Sequence, residues 1–160
     1  MRIFIDMDGV LADFIAGIEG PDYLDGMLLG EEMYDDRKYE FIHKRLFKNL
    51  PPMEDMYDLM LYIKKTKLDY EILTCTGQIE RQLVHYDKVA WIKEHVDPFV
   101  IVNSTLKGKH KAAFAAPNHV LIDDKAANIK AWEEAGGKGI FHVNAMQTIL
   151  KLHKWINDEK

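Results

Sequence analysis

Five short apolar runs, separated by stretches of helical periodicity, constrain what this chain can fold into. The runs are Ile3–Asp6, Tyr70–Thr76, Phe99–Asn103, His119–Asp123 and Gly139–Val143. Just after Pro51-Pro52, Met56, Leu59, Met60 and Ile63 recur at the spacing of one helix face. A second helix is predicted over Glu80–His95, carrying Leu83, Val84, Val89, Trp91 and Ile92 and stopped by Pro98. A third, Ala126–Ala135, ends at Gly136-Gly137, a pair suited to a left-handed C-cap, and Met146, Ile149, Leu150 and His153 mark a last one. Strands alternating with helices predict a parallel sheet covered on both faces, an α/β doubly wound architecture. A length of 160 residues suits one such domain with room for a small insertion.

Residues 14–50 break the alternation. They are rich in Gly, Asp, Met and Tyr, read as helical from Asp36 to Phe47, and hold no comparable strand run. The expectation is a small helical cap at 14–50 inserted after the first strand, with the core formed by 1–13 and 51–160. A plain crossover helix with a long loop is the competing reading. Ligands of open α/β sheets sit beyond the carboxyl ends of the strands, so an insertion there overhangs the site.

The first run stops abruptly at Asp6-Met7-Asp8-Gly9-Val10-Leu11. Two carboxylates at spacing two raise each other's pKa unless a cation neutralises them. A hard divalent ion such as Mg²⁺, held by carboxylates and substrate phosphate oxygens, supplies that charge. A calcium loop of the EF-hand type needs an acid or amide at its fifth place and glycine at its sixth, where this chain has Val10 and Leu11. A phospho-acceptor receiver domain needs an aspartate at a later strand end, where this chain has threonine. A bare strand-to-turn transition explains the glycine but not the paired acids. The motif therefore favours an enzyme over a binding module.

Other strand ends carry related chemistry. The second run ends Leu73-Thr74-Cys75-Thr76-Gly77, the third is followed by Lys107, Lys109 and Lys111, and the fourth ends Ile122-Asp123-Asp124. A parallel sheet brings these to one edge. A carboxylate can attack phosphorus to give an aspartyl-phosphate, while a metal, an ammonium and hydroxyl or amide donors stabilise the transition state.

This order of residues resembles the four motifs of the haloacid-dehalogenase-like phosphohydrolases. Within them, Asp6-Met7-Asp8-Gly9-Val10-Leu11-Ala12-Asp13-Phe14 is similar to the signature of the 5′(3′)-deoxyribonucleotidase (5′-nucleotidase) branch. Tyr86–Lys93 and Leu121–Gly137 resemble that branch too, so the likeness covers roughly 1–14 and 50–145 and leaves out the cap. It implies a Rossmann-like sheet with Asp6 as nucleophile and Asp8 as general acid, then base. Mg²⁺ is implied on the Asp6 carboxylate, the Asp8 backbone carbonyl and Asp124, with Asp123 beside it as an alternative. Thr76, with Thr74 as its competitor, and Gly77 would bind phosphate. Lys111, with Lys109 as its competitor, would balance charge. Phe14 would stack on a base. The implied substrate is a (deoxy)ribonucleoside 5′-monophosphate. The same chemistry on another small phosphate ester or on a 3′-phosphorylated oligonucleotide, and a non-catalytic nucleotide-binding module, remain as alternatives.

Bulk properties fit a small-molecule partner. A net charge of −5 argues against long nucleic acid, which needs a basic face. The basic residues Arg37, Lys38, Lys44, Arg45 and Lys48 are interleaved with acids. The single Cys75 sits in an apolar run and is expected to be buried and inert. The seven histidines show no metal-ligand spacing. With neither a leader pattern nor an apolar span of membrane length, a cytoplasmic protein is the expectation.

Overall fold

The computed structural model describes residues 1–19 and 39–158. Five strands form one sheet: β1 (Arg2–Ile5), β2 (Asp69–Cys75), β3 (Val102–Thr105), β4 (His119–Asp123) and β5 (Lys138–Phe141). Their spatial order is β3-β2-β1-β4-β5, and every pairing is parallel. Among the described residues the helices are α1 (Phe14–Glu19), α2 (Met56–Thr66), α3 (Arg81–His95), α4 (Ala126–Glu134) and α5 (Ala145–Asp158), with a further helical stretch at 39–43 inside the segment expected to be helical and 3₁₀ turns at Leu46–Asn49 and Gly108–Phe114. The doubly wound α/β fold is as the sequence predicts.

Alternation along the strands explains the two layers. Ile3, Ile5, Ile72, Val120, Ile122 and Ile140 face one side and pack with Met56, Leu59, Ile63, Trp91 and Leu152. Phe4, Leu73 and Leu121 face the other and pack with Ile129 and Trp132 of α4. Both faces being covered, the central strands are apolar nearly throughout.

The third strand differs from expectation. The apolar Phe99-Val100-Ile101 lies before it, and pairing begins at Val102 opposite Ile72. Asp97 causes the delay: its carboxylate accepts the Phe99 amide at 2.8 Å, turning the chain after Pro98 and leaving Phe99 92 % exposed. β5 likewise ends at Phe141 rather than Val143, and the segment around Lys111 is a 3₁₀ turn.

Of the predicted cap, residues 20–38, including Tyr34, Asp35, Asp36, Arg37 and Lys38, lie outside the described residues. Its two ends meet: the Asp13 amide donates to the Pro51 carbonyl at 2.8 Å, and the Met53 amide to Leu11 at 2.8 Å. The returning limb is fastened to α3. Arg45 makes a bidentate pair with Asp87, Nη2 at 2.6 Å and Nε at 2.9 Å from Oδ1, and the Trp91 indole donates to the Leu50 carbonyl at 2.7 Å. No helix among the described residues is long and apolar enough to cross a membrane.

Candidate active site

β1 lies where the chain reverses direction across the sheet, with β2 on one side and β4 on the other, the place where α/β sheets open a crevice. Register carries the acids there. Ile5 pairs with both Ile72 and Ile122, and the Asp6 amide donates to the Ile122 carbonyl at 2.9 Å, setting Asp6 beside Asp123. Beyond it the chain turns tightly, with the Leu11 and Ala12 amides both donating to Met7. Gly9 takes a positive φ of 77°, and a Cβ there would fall on the Asp124 carboxylate. Only glycine lets the loop approach Asp124 so closely.

Lys111 is fully buried between two of these acids. Its Nζ lies 2.8 Å from Asp6 Oδ2 and 2.6 Å from Asp123 Oδ2. Burial disfavours the ammonium, but the pull of Asp6 and Asp123 outweighs it and holds the pKa above the ordinary lysine value. The remaining Asp6 oxygen accepts the Met7 amide at 2.7 Å. Lys109, its sequence competitor, is exposed, as is Lys107.

Asp6, Asp123 and Asp124 bring carboxylate oxygens within 4.8 Å of one another. Neighbours within a strand face opposite sides, which would part Asp123 from Asp124. β4 ends at Asp123, so Asp124 lies in the following bend and turns back into the same cluster. Their surroundings differ sharply. Asp123 accepts from Lys111, from the Lys125 amide at 2.8 Å and from the Asn128 side-chain amide at 3.0 Å. Asp124 Oδ1 is buried with no hydrogen-bond partner among the described residues. Burial, then the charges of Asp6 and Asp123, push the Asp124 carboxyl up to about 6. Burial and the Asp6 charge raise Asp123 as well, against the opposing Lys111 and Lys125 amide. Three converging acids with one unpartnered oxygen fit a hard divalent cation, and Asp124 is the acid free to bind it.

The two threonines part in the same way. Thr74 is fully buried within β2, and its hydroxyl accepts from Lys88 at 3.0 Å. Thr76 stands just past the strand, where its hydroxyl makes only long contacts to the carbonyls of Gly77 at 3.2 Å and Thr105 at 3.4 Å. Gly77 follows with φ at 73°. Beside Thr76 opens a pocket of about 280 Å³ lined by Arg81, Gln82, His85, Ser104 and others.

Asp8 points elsewhere. Its Oδ2 pairs with Lys88 of α3 at 2.5 Å, and its Oδ1 is buried without a hydrogen-bond partner among the described residues. Sequence reasoning missed Lys88 and Asn128. A signal for Lys88 existed: it lies among Val84, Trp91 and Ile92 at i−4, i+3 and i+4, and a cation on an apolar face needs a partner. Phe14 is half-buried in an aromatic group, stacked on Phe47 at 5.6 Å and edge-on to Phe41 at 6.1 Å. It does not join the carboxylate cluster. Cys75, expected to be buried, is half-buried, with Sγ 3.3 Å from the Leu106 carbonyl.

No protein-family model matches the chain. No curated protein matches it either. Solved structures do. A hydrolase from Streptococcus pneumoniae TIGR4 superposes with a TM-score of 0.52 at 12 % identity, over 98 % of this chain and 97 % of that one. A putative β-phosphoglucomutase from Thermotoga maritima superposes with a TM-score of 0.54 at 17 % identity, over 97 % of this chain and 99 % of that one. At such identities the likeness speaks for architecture alone, and that architecture is a Rossmann-like parallel sheet flanked by helices.

Proposed function

We propose that this chain is a Mg²⁺-dependent phosphomonoesterase that works through an aspartyl-phosphate on Asp6 and acts on (deoxy)ribonucleoside 5′-monophosphates. One observation carries the phosphatase reading: Asp6, at the mouth of the switch-point crevice, shares buried Lys111 with Asp123 beside Asp124, whose Oδ1 has no hydrogen-bond partner among the described residues. A static fold has little use for three clustered carboxylates and one ammonium, whereas phosphoryl transfer needs that arrangement.

In this reading Asp6 and Asp124, with the Asp8 backbone carbonyl, would hold the metal, which would supply positive charge to neutralise the transferring group. The rest is the work of the chain. Asp6 attacks phosphorus and the bond to the leaving oxygen breaks; Asp8 gives that oxygen its proton. Asp8 then takes a proton from water as the water attacks the phosphorus of the acyl-phosphate, which releases inorganic phosphate and restores Asp6. Lys111 balances the Asp6 charge throughout, while Thr76 and the amides around Gly77 cradle phosphoryl oxygens. The segment 14–50 acts as a cap, an assignment supported by the meeting of its two ends beside the catalytic loop.

The nucleotide preference rests on the sequence likeness around Asp6–Phe14 and on Phe14 itself, whose ring is partly exposed and braced by Phe47. A second reading, a more polar phosphate ester such as a sugar phosphate, is favoured by the pocket beside Thr76, with its guanidinium, imidazole and hydroxyl lining. A phosphate-release screen over nucleoside monophosphates, sugar phosphates and a 3′-phosphorylated oligonucleotide, with Mg²⁺ and with chelator, tests both. Nucleotides turned over fastest support the first reading. Sugar phosphates ahead of every nucleotide replace it with the second. No release from any ester refutes the phosphatase itself.

A further inference from the structure

We propose that Lys88 is a positioning residue for Asp8, a role that rests on the reading of Asp8 as the acid and base of the reaction. Lys88 is 1 % exposed, and a buried ammonium is tolerated only when fully partnered. It has three N–H donors and three acceptors: Asp8 Oδ2 at 2.5 Å, the Cys75 carbonyl at 2.9 Å and Thr74 Oγ1 at 3.0 Å. The Phe47 ring lies 5.2 Å from Nζ on a further side. With every donor spent, Lys88 has none left for a substrate phosphate, so it acts through Asp8.

The arrangement is asymmetric in a useful way. Two of the three acceptors belong to the end of β2, a central strand whose neighbours β1 and β3 fix its position. Lys88 thus ties the Asp8 carboxylate to the sheet by Oδ2. The other oxygen, Oδ1, is buried and has no hydrogen-bond partner among the described residues, so Lys88 is the one side-chain partner that sets the orientation of this carboxylate there. Without the tie, Asp8 rotates freely about its side-chain bonds, and a misplaced acid loses much of its catalytic benefit.

A double-mutant cycle separates this role from a merely structural one. Lys88→Met, Asp8→Asn and the double variant are compared with the unaltered protein, using a nucleoside 5′-monophosphate and p-nitrophenyl phosphate. The readout is kcat/KM, which covers steps up to departure of the leaving group. Lys88→Met is expected to lower kcat/KM on the alkyl ester by about 10–100-fold, within the range of general acid help. On p-nitrophenyl phosphate, whose leaving group departs without protonation, the loss is expected to stay under about threefold. Added to Asp8→Asn, Lys88→Met is expected to cost under about threefold on either substrate. Lys88→Gln, which keeps an N–H donor, takes its place should the methionine variant not fold. The same loss in both backgrounds, or on both esters, overturns the proposal. Turnover by the unaltered protein with no effect of Lys88→Met refutes the positioning role alone, whereas no turnover of any ester refutes the phosphatase reading and this role with it.

Discussion

Asp123 and Asp124 are neighbours in sequence, yet alanine at each should shift the stability of the metal-free protein in opposite directions. Asp124 is the electrostatically strained one. Its carboxyl is pushed up to about 6 by burial and then by Asp6 and Asp123, roughly two pH units above an ordinary aspartate. At about 1.4 kcal/mol per unit that is about 3 kcal/mol at neutral pH, and because the group is partly exposed, solvent screening reduces it to ~1–2 kcal/mol. Its Oδ1 has no hydrogen-bond partner among the described residues, so none is lost there. Asp124→Ala, after some loss of packing, should therefore leave the metal-free protein as stable as before or about 1 kcal/mol more so. Asp123→Ala leaves buried Lys111 with Asp6 alone and strands the part-buried Lys125 amide and the buried Asn128 side-chain amide. Leaving such donors unmade costs ~1–3 kcal/mol each, so a loss of about 3 kcal/mol or more is expected.

Urea unfolding in chelator at pH 7.5 measures both. The pH dependence gives an independent check. Because the folded-state value of Asp124 lies above its unfolded one, the folded chain binds more protons between them. Its contribution to metal-free stability therefore rises as pH falls through about 6 and levels off near 4. The difference between the unaltered protein and Asp124→Ala should show this rise. Added Mg²⁺ at a hundredfold over its Kd should stabilise the unaltered protein by about 2.7 kcal/mol and Asp124→Ala by much less. Equal destabilisation by the two alanines, or a difference that is flat from pH 7 to 4, would refute the assignment of the strained acid.

Three further outcomes follow from the same geometry. Asp6→Asn should fold normally and lose phosphate release almost entirely, while Asp8→Asn should slow it by ~10²–10⁴-fold; stopped assays on purified variants check both. Gly9→Ala, which combines a positive φ with a Cβ placed on the Asp124 carboxylate, should abolish the Mg²⁺-induced rise in melting temperature, and an unchanged rise would contradict the close approach seen here. Phe14→Ala should raise KM for deoxynucleoside monophosphates by about tenfold, the low to middle part of the ~1–3 kcal/mol of a base stack, and affect p-nitrophenyl phosphate much less. Equal effects on both substrates would count against the nucleotide preference while sparing the phosphatase reading.

The sheet and its acid-lined edge were legible because both are written locally. Ile3 to Ile5 followed by acids, or Val120 to Ile122 followed by acids, signal a buried strand end without knowledge of the partners. Where the signal depended on three dimensions, sequence did less well. Phe99-Val100-Ile101 carries the strongest β composition of its region, but an Asp97 side chain captures the Phe99 amide and delays pairing to Val102. What sets Thr74 apart from Thr76 is a lysine on a helix, 14 positions away in sequence, that occupies the Thr74 hydroxyl. Lys88 lies on the apolar face of its helix with Val84, Trp91 and Ile92, a signal that a partner is needed, but only the packed sheet reveals that the partner is Asp8.

The clasp between Arg45 and Asp87 bears on how new substrate ranges are grafted onto this scaffold. Asp87 is 1 % exposed and immediately precedes Lys88, so the limb that returns from residues 14–50 is anchored one residue away from the tether of Asp8. Trp91, one turn further along the same helix, grips the Leu50 carbonyl. A chimera that imports a foreign insertion by cutting at Pro51 would discard Arg45 and strand the Asp87 carboxylate beside Lys88. The exchangeable cassette therefore ends before Arg45, and residues 45–50 travel with the recipient.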